Sequence, residues 1–163
     1  MATQINHTTL YETDYLRWLE TTAQKLRNQN YTEVDWENLI EEIEDMGRSE
    51  RRSLKSNLIV LLLHLLKWEF QPLERKGGWE SSIIEHRSRI RDALKDSPSL
   101  KPYLESIFAE SYAEARKRAR AETGLLLEAF PSQCPYELTE LSHSHELNSW
   151  DSGIKQRLQA QPV

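Results

Sequence analysis

His64 and His86 are the two side chains of this sequence whose type and position could do chemistry inside the protein. His64 is the one polar residue in the apolar run Leu58 to Leu66, and His86 lies seven residues after Trp79 on the apolar face of a predicted helix. Both imidazoles are therefore expected to point into one core. A buried imidazole must form at least one hydrogen bond, because its desolvation is otherwise uncompensated.

Two interpretations of this histidine pair stay open. With polar groups from neighbouring helices, the pair could bind a metal ion or a small ligand, or transfer protons in a hydrolytic reaction. Alternatively both histidines are core residues that a neighbour satisfies, and this is the interpretation that we prefer. The other residues assigned to the candidate internal site are Glu41, Glu44, Arg118 and Glu122.

The sequence lacks the motifs of the commonest cofactor sites. It contains no His-Glu-x-x-His pattern and no glycine-rich phosphate loop. We therefore predict no cofactor, identify no catalytic residue or metal ligand set, and leave open whether the protein is an enzyme.

An acidic run extends from Glu33 to Glu50, with eight carboxylates and one basic residue, Arg48. It could be a docking surface for a basic partner or a patch for divalent cations. It could also be a solvated helix face, which is the interpretation that we prefer. Three of its carboxylates lie along one flank of an apolar stripe, at Glu37, Glu41 and Glu44.

A basic run and a distant tryptophan are the candidate surface contacts. The basic run consists of Arg116, Lys117, Arg118 and Arg120. It could form a strip for RNA or phosphate, with Arg116, Lys117 and Arg120 as the surface contacts, or it could complement the helix dipole and pair with acidic residues. We prefer the second interpretation, since so few charges bind nucleic acid weakly at physiological salt. Trp150 lies in a polar segment, where an exposed indole often marks a docking point.

These residues are positioned by helices, which the periodicity of the apolar residues predicts. The spacing of apolar residues predicts five helices, at about residues 10–28, 36–46, 50–70, 79–95 and 102–123. Gly47 would end the second helix in a left-handed conformation, or it would lie within one long helix at a cost of about 1 kcal/mol relative to alanine.

The apolar faces of these helices predict the core. Leu58 to Leu66 is apolar on nearly all sides, so we expect this helix at the centre of a bundle. The stripe on the preceding helix is also expected to face the core, which would turn Glu42 and Asp45 toward solvent. Its members are Trp36, Leu39, Ile40, Ile43 and Met46.

The predicted fold is therefore all-α: a single-domain bundle of about five helices around a buried central helix, with a short C-terminal extension. We expect an N-terminal tail over residues 1–9, the bundle over 10–141 and a polar, mobile tail over 142–163.

Composition excludes several classes of protein. The 163 residues carry a formal charge of -5, which argues against a protein that wraps duplex nucleic acid. One cysteine, Cys134, allows no intramolecular disulfide. The N-terminus does not resemble a signal peptide and no apolar run is long enough for a membrane span, so a cytoplasmic location without membrane contact is expected.

Three blocks of sequence carry a resemblance to a known family. They are LYETDYLRWLETTAQKLR from Leu10, ENLIEEIEDMGRSERRSLKSNLIVLLLHLLKW from Glu37, and AETGL with FPSQCPY from Ala121 and Phe130. In order and spacing they resemble the bacterial family called domain of unknown function 29, over about Leu10 to Leu141. The resemblance implies an all-helical fold, and it implies no activity, cofactor or catalytic residue.

Three functions follow from these observations. We expect a soluble, non-enzymatic interaction or regulatory module, whose partner is another protein or a second copy of the chain. The alternative is a bundle that binds a metal ion or small ligand at His64 and His86. Weak RNA binding through Arg116 to Arg120 ranks third, and nucleic acid is not expected as the main partner.

Overall fold

The computed structural model of the protein describes residues 9–142, and the described chain is helical without a strand. This confirms the all-α prediction. The α-helices are α1 (Leu10–Thr13), α2 (Tyr15–Arg27), α3 (Trp36–Phe70), α4 (Gly77–Asp96), α5 (Lys101–Thr123) and α6 (Leu138–Ser142). Short 3₁₀ turns at Tyr31–Glu33, Pro72–Glu74, Pro98–Leu100 and Leu127–Ala129 join them. The chain divides into two compact units, residues 1–48 and 49–163.

The described part of the first unit, residues 9–48, is a helical hairpin with a small core. Asp14 breaks the predicted first helix, because its backbone, with φ -151° and ψ 82°, is not helical. Its carboxylate caps α2 by accepting a hydrogen bond from the backbone N–H of Arg17. The buried side chains of this part are Trp18, Thr22 and Val34. Three buried residues make a small core for a helical hairpin.

The second and third predicted helices are one helix. α3 contains 35 residues and continues through Gly47, whose backbone is not in the left-handed region. A Cβ at Gly47 would meet no atom within 4 Å, so no close approach of another element requires a glycine here. Of the two alternatives for Gly47, the structure therefore takes the long helix.

The second unit has the apolar part of α3 at its centre, as the sequence predicted. In the run from Leu58 to Leu66, all residues except Val60 and His64 are buried, and those two are half-buried. Asn57 contacts His86 of α4, and His64 contacts Ser82, so α3 and α4 are antiparallel. Ion pairs from Lys55 and Lys67 to Glu110 and Glu122 show that α5 runs parallel to α3.

The last long helix, α5, also ends where the fifth predicted helix ends, at about residue 123. α5 stops at Gly124, which has a φ of 74° and donates its N–H to the carbonyl of Arg120. Phe130, Tyr136 and Leu141 then return to the core. No helix in residues 9–142 is long and apolar enough to span a membrane.

Candidate functional site

Four of the five residues of the apolar stripe at the start of α3 are exposed, and the prediction that they face the core is wrong, whereas Leu39 is half-buried. The exposed fractions are 47% for Trp36, 54% for Ile40, 60% for Ile43 and 68% for Met46. Periodicity shows that such residues share one face of a helix, but the core expectation also required a neighbouring element to cover that face. We call these four residues the apolar hairpin face.

A different face of α3 from the apolar hairpin face contacts α1 and α2. The hydroxyl groups of Tyr11 and Tyr15 each donate a hydrogen bond of 2.6 Å to the carboxylate of Glu42. These bonds lower the pKa of Glu42, and the bond to Glu42 raises the pKa of Tyr11 to about 12. The expectation that Glu42 points to solvent is therefore wrong, because its carboxylate is hydrogen-bonded to Tyr11 and Tyr15.

Asp45 faces solvent, as expected. Its side chain is 49% exposed and accepts a hydrogen bond of 2.7 Å from Nε of Arg48 on the same helix. Glu42 lies on the flank of α3 that contacts α2, whereas the apolar stripe lies on another face and is exposed.

The apolar hairpin face has the size of a binding site. Its residues follow the spacing i, i+4, i+7 and i+10, which is a continuous stripe about 15 Å long on a helix. From their exposed fractions, the four side chains expose on the order of 400–500 Å² of mostly apolar surface, and a contiguous patch of that size on a monomer often marks an interaction site. Leu16 and Leu19 of α2 are further exposed apolar residues of the hairpin.

Carboxylates border this face. Glu37, Glu41 and Glu44 are exposed on the adjacent flank of α3, and Glu44 lies 3.5 Å from the guanidinium of Arg48. Residues 9–48 contain ten carboxylates and four basic side chains, a formal charge of -6, against -5 for the whole chain. The negative charge of the protein is thus concentrated in the first unit.

His64 and His86 lie beside each other between α3 and α4, and both are half-buried. Nδ1 of His64 is 2.9 Å from the carbonyl oxygen of Val60 and 3.3 Å from Oγ of Ser82. Nδ1 of His86 is 2.7 Å from Oδ1 of Asn57. The sequence predicted that the two histidines share one region, but periodicity gave no sign that Asn57 and Ser82 are their partners.

The four other residues of the candidate internal site are not internal. Glu41 and Glu44 are exposed in the first unit. Arg118 is exposed and pairs with Glu114 one turn earlier, at 3.0 Å. Glu122 is exposed at the end of α5 and pairs with Lys67 at 2.6 Å. An ion-pair partner explains the position of Glu44, Arg118 and Glu122. Glu41 lies on the exposed flank of α3.

The predicted basic strip is smaller than the sequence indicated. Arg116 is half-buried, and its guanidinium donates hydrogen bonds to the carbonyls of Leu127 and Phe130, at 3.1 and 3.0 Å. It therefore holds the segment after α5 and is not a surface contact. Lys117 and Arg120 are exposed, as expected. Trp150 and nearly all of the two predicted tails lie outside the described residues.

Sequence analysis missed a polar cluster in the core of the second unit. Tyr136 is buried and donates a hydrogen bond of 2.8 Å to the carboxylate of Glu69, and Tyr112 donates one of 2.8 Å to the carbonyl of Pro131. Burial raises the pKa of both phenols. Tyr112 lies on the face of α5 that contains Leu104 and Ala115, and this spacing could have identified it.

One of the comparisons with known proteins gives an assignment. No curated protein and no solved structure matches the chain. Residues 10–158 match the family described as Domain of unknown function DUF29, so the match continues beyond Leu141, where the resemblance in the sequence ended. This match covers most of the chain, and the protein belongs to the family described as Domain of unknown function DUF29.

Proposed function

We propose that the protein is a non-enzymatic interaction module, and that its apolar hairpin face binds a basic amphipathic helix of another protein. The observation that carries the proposal is the exposure of Ile40, Ile43 and Met46 in one stripe beside a row of carboxylates. A stripe about three turns long fits one face of a short partner helix, with anchors spaced at i, i+3 or i+4, and i+7.

Charge selects the class of partner. Residues 9–48, with a formal charge of -6, repel nucleic acid and anionic membranes, and they also repel a second copy of themselves. A partner helix with lysine or arginine on both sides of its apolar stripe would instead pair with Glu37, Glu41 and Glu44. The apolar contact supplies most of the affinity, and the charge pairs supply specificity and the rate of association.

A pair of synthetic peptides tests this proposal. Both are 18-residue helices with leucine at i, i+3, i+4 and i+7, and the exposed positions are lysine in one peptide and glutamate in the other. We expect the full-length protein to bind the lysine peptide with a Kd in the micromolar range, measured by fluorescence anisotropy. The affinity should fall as salt is raised, and the glutamate peptide should not bind.

The substitution Ile43→Asp separates docking from simple charge attraction. It adds a negative charge, so attraction alone would strengthen binding of the lysine peptide, whereas loss of the apolar contact should weaken it at least tenfold. The matched control is Ile84→Asp on α4, because Ile84 is 57% exposed and lies outside the apolar hairpin face. This control should bind the peptide as the unmodified protein does.

Two results would overturn the proposal. The first is equal affinity of Ile43→Asp and the unmodified protein for the lysine peptide. The second is a stable dimer in sedimentation equilibrium that Ile43→Asp dissociates, because a second copy would then be the occupant of this face. Circular dichroism of each variant confirms that the helices are intact.

A further inference from the structure

The hydrogen-bond partners of His64 and His86 show which nitrogen of each neutral ring carries the proton. Nδ1 of His64 faces the carbonyl oxygen of Val60, which can only accept a hydrogen bond, so this nitrogen carries the proton. In the neutral imidazole, Nε2 of His64 then has the free lone pair.

The orientation of Asn57 gives the same answer for His86. Nδ2 of Asn57 donates a hydrogen bond of 2.8 Å to the backbone carbonyl of Ser53. This contact turns Oδ1 of Asn57 toward His86, and Nδ1 of His86 must donate to it across 2.7 Å. Nε2 of His86 therefore also has a free lone pair.

Both rings are held in the arrangement that metal-binding histidines use. Such a histidine donates one ring N–H to an oxygen, which fixes the ring and its tautomer, and it binds the metal through the other nitrogen. Here the two anchoring oxygens belong to Val60 and Asn57, which lie one turn apart on the same face of α3. The two rings therefore occupy neighbouring positions between α3 and α4.

We propose that His64 and His86 form a two-imidazole site for a divalent transition-metal ion, which both rings ligate through Nε2 and which water completes. Imidazole suits Zn²⁺, Cu²⁺ and Ni²⁺, whereas Mg²⁺ and Ca²⁺ prefer oxygen ligands. In residues 9–142 no group of three or more His, Cys, Asp or Glu side chains is placed to hold a metal ion, so this site has two protein ligands and is open to an added ligand. The site is independent of the apolar hairpin face.

Calorimetric titration with Zn²⁺ tests the site in the full chain. His143 and His145 form another closely spaced pair in the sequence, so both are first changed to glutamine. We expect this background protein to bind one Zn²⁺ with a micromolar Kd and to give no heat with Mg²⁺. His64→Gln or His86→Gln should weaken Zn²⁺ binding at least tenfold, whereas the matched control His7→Gln should not change it.

Two further measurements distinguish a built site from chance binding. Asn57→Ala keeps both ligands but removes the anchor of His86, so Zn²⁺ should bind at least threefold more weakly. Nitrogen NMR of the metal-free protein should show the Nδ1–H tautomer for both rings, and Zn²⁺ should shift both Nε2 resonances. Absence of Zn²⁺ binding, equal binding by the single-histidine variants, or Nε2–H tautomers would each overturn the proposal.

Discussion

The ammonium group of Lys67 lies 2.6 Å from a carboxylate oxygen of Glu122 and 4.6 Å from the centre of the Trp79 ring. Lys67 is 8% exposed at the end of the buried part of α3, so its charge has little access to water. A buried ammonium without a counter-ion is costly, and Glu122 and Trp79 together compensate for its desolvation. This contact joins the C-terminal ends of α3 and α5 to the start of α4.

Glu122→Gln tests the contribution of this ion pair to stability. Because the substitution leaves Lys67 buried beside a neutral amide, we expect the free energy of unfolding to fall by about 1–2 kcal/mol, a value reduced for the partial exposure of Glu122. The matched control is Glu110→Gln, whose partner Lys55 lies 2.8 Å away in a more exposed pair. It should cost less than about 0.5 kcal/mol in urea unfolding. Equal losses in the two variants would contradict this assignment.

Part of this structure could be predicted because some residue patterns are compatible with a single arrangement of the chain. The run Leu58 to Leu66 is apolar on almost every side, and such a helix must be covered on every side. The fifth predicted helix ends at about residue 123, and α5 ends there because the next residue, Gly124, adopts the left-handed conformation that glycine allows freely. The proximity of His64 and His86 also followed from their positions on apolar faces.

The rest of the structure could not be predicted, because it depends on tertiary contacts that the periodicity of apolar residues does not specify. The stripe of Ile40 and Ile43 has the same pattern as a core stripe, and only the position of α2 against Glu42 shows that it is exposed. Likewise, Arg116 has the sequence context of a surface cation. Its burial follows from the segment that folds back over α5 and places the carbonyls of Leu127 and Phe130 beside it.

Substitution of two glycines by alanine tests the continuity of α3. Gly47 lies inside the helix and a Cβ there meets nothing within 4 Å, so Gly47→Ala should raise the free energy of unfolding by about 0.5–1 kcal/mol. Gly124 also has free space for a Cβ, but its φ of 74° strains any other residue. Gly124→Ala should therefore lower the free energy of unfolding by about 1 kcal/mol. A destabilised Gly47→Ala would show that α3 breaks at this residue.

The thiol of Cys134 should react slowly in the folded protein. Burial raises its pKa to about 11 from the ordinary value of 9.0, so the reactive thiolate is scarce at pH 8. From the thiolate fractions alone, we expect reaction with a chromogenic disulfide to be about a hundredfold slower in the native protein than in denaturant. The absorbance of the released thiol measures both rates on the chain's one cysteine. Comparable rates would show that Cys134 is open to solvent and ionises readily.

Alkaline pH should destabilise the second unit through its buried tyrosines. Burial, and then the adjacent Glu69, raise the pKa of Tyr136 well above the ordinary value of 10.0. The phenol therefore keeps its proton in the folded state when it would lose it in the unfolded state. Its contribution to stability is fully present below pH 10 and declines as the pH rises toward the folded pKa, at about 1.4 kcal/mol per pH unit. Burial shifts the pKa of Tyr112 in the same direction, so both residues add to the decline.

Urea unfolding between pH 8 and pH 11.5 measures this dependence, and the absorbance of tyrosinate reports ionisation in the same samples. Tyr136→Phe removes one of the two buried phenols and its hydrogen bond to Glu69, so it should be less stable at pH 8 by about 1–2 kcal/mol. Above pH 10, however, its stability should decline less steeply than that of the unmodified protein, and the two curves should converge. Parallel curves would show that Tyr136 ionises in the folded protein as it does in the unfolded chain, and that its contact with Glu69 does not exclude water.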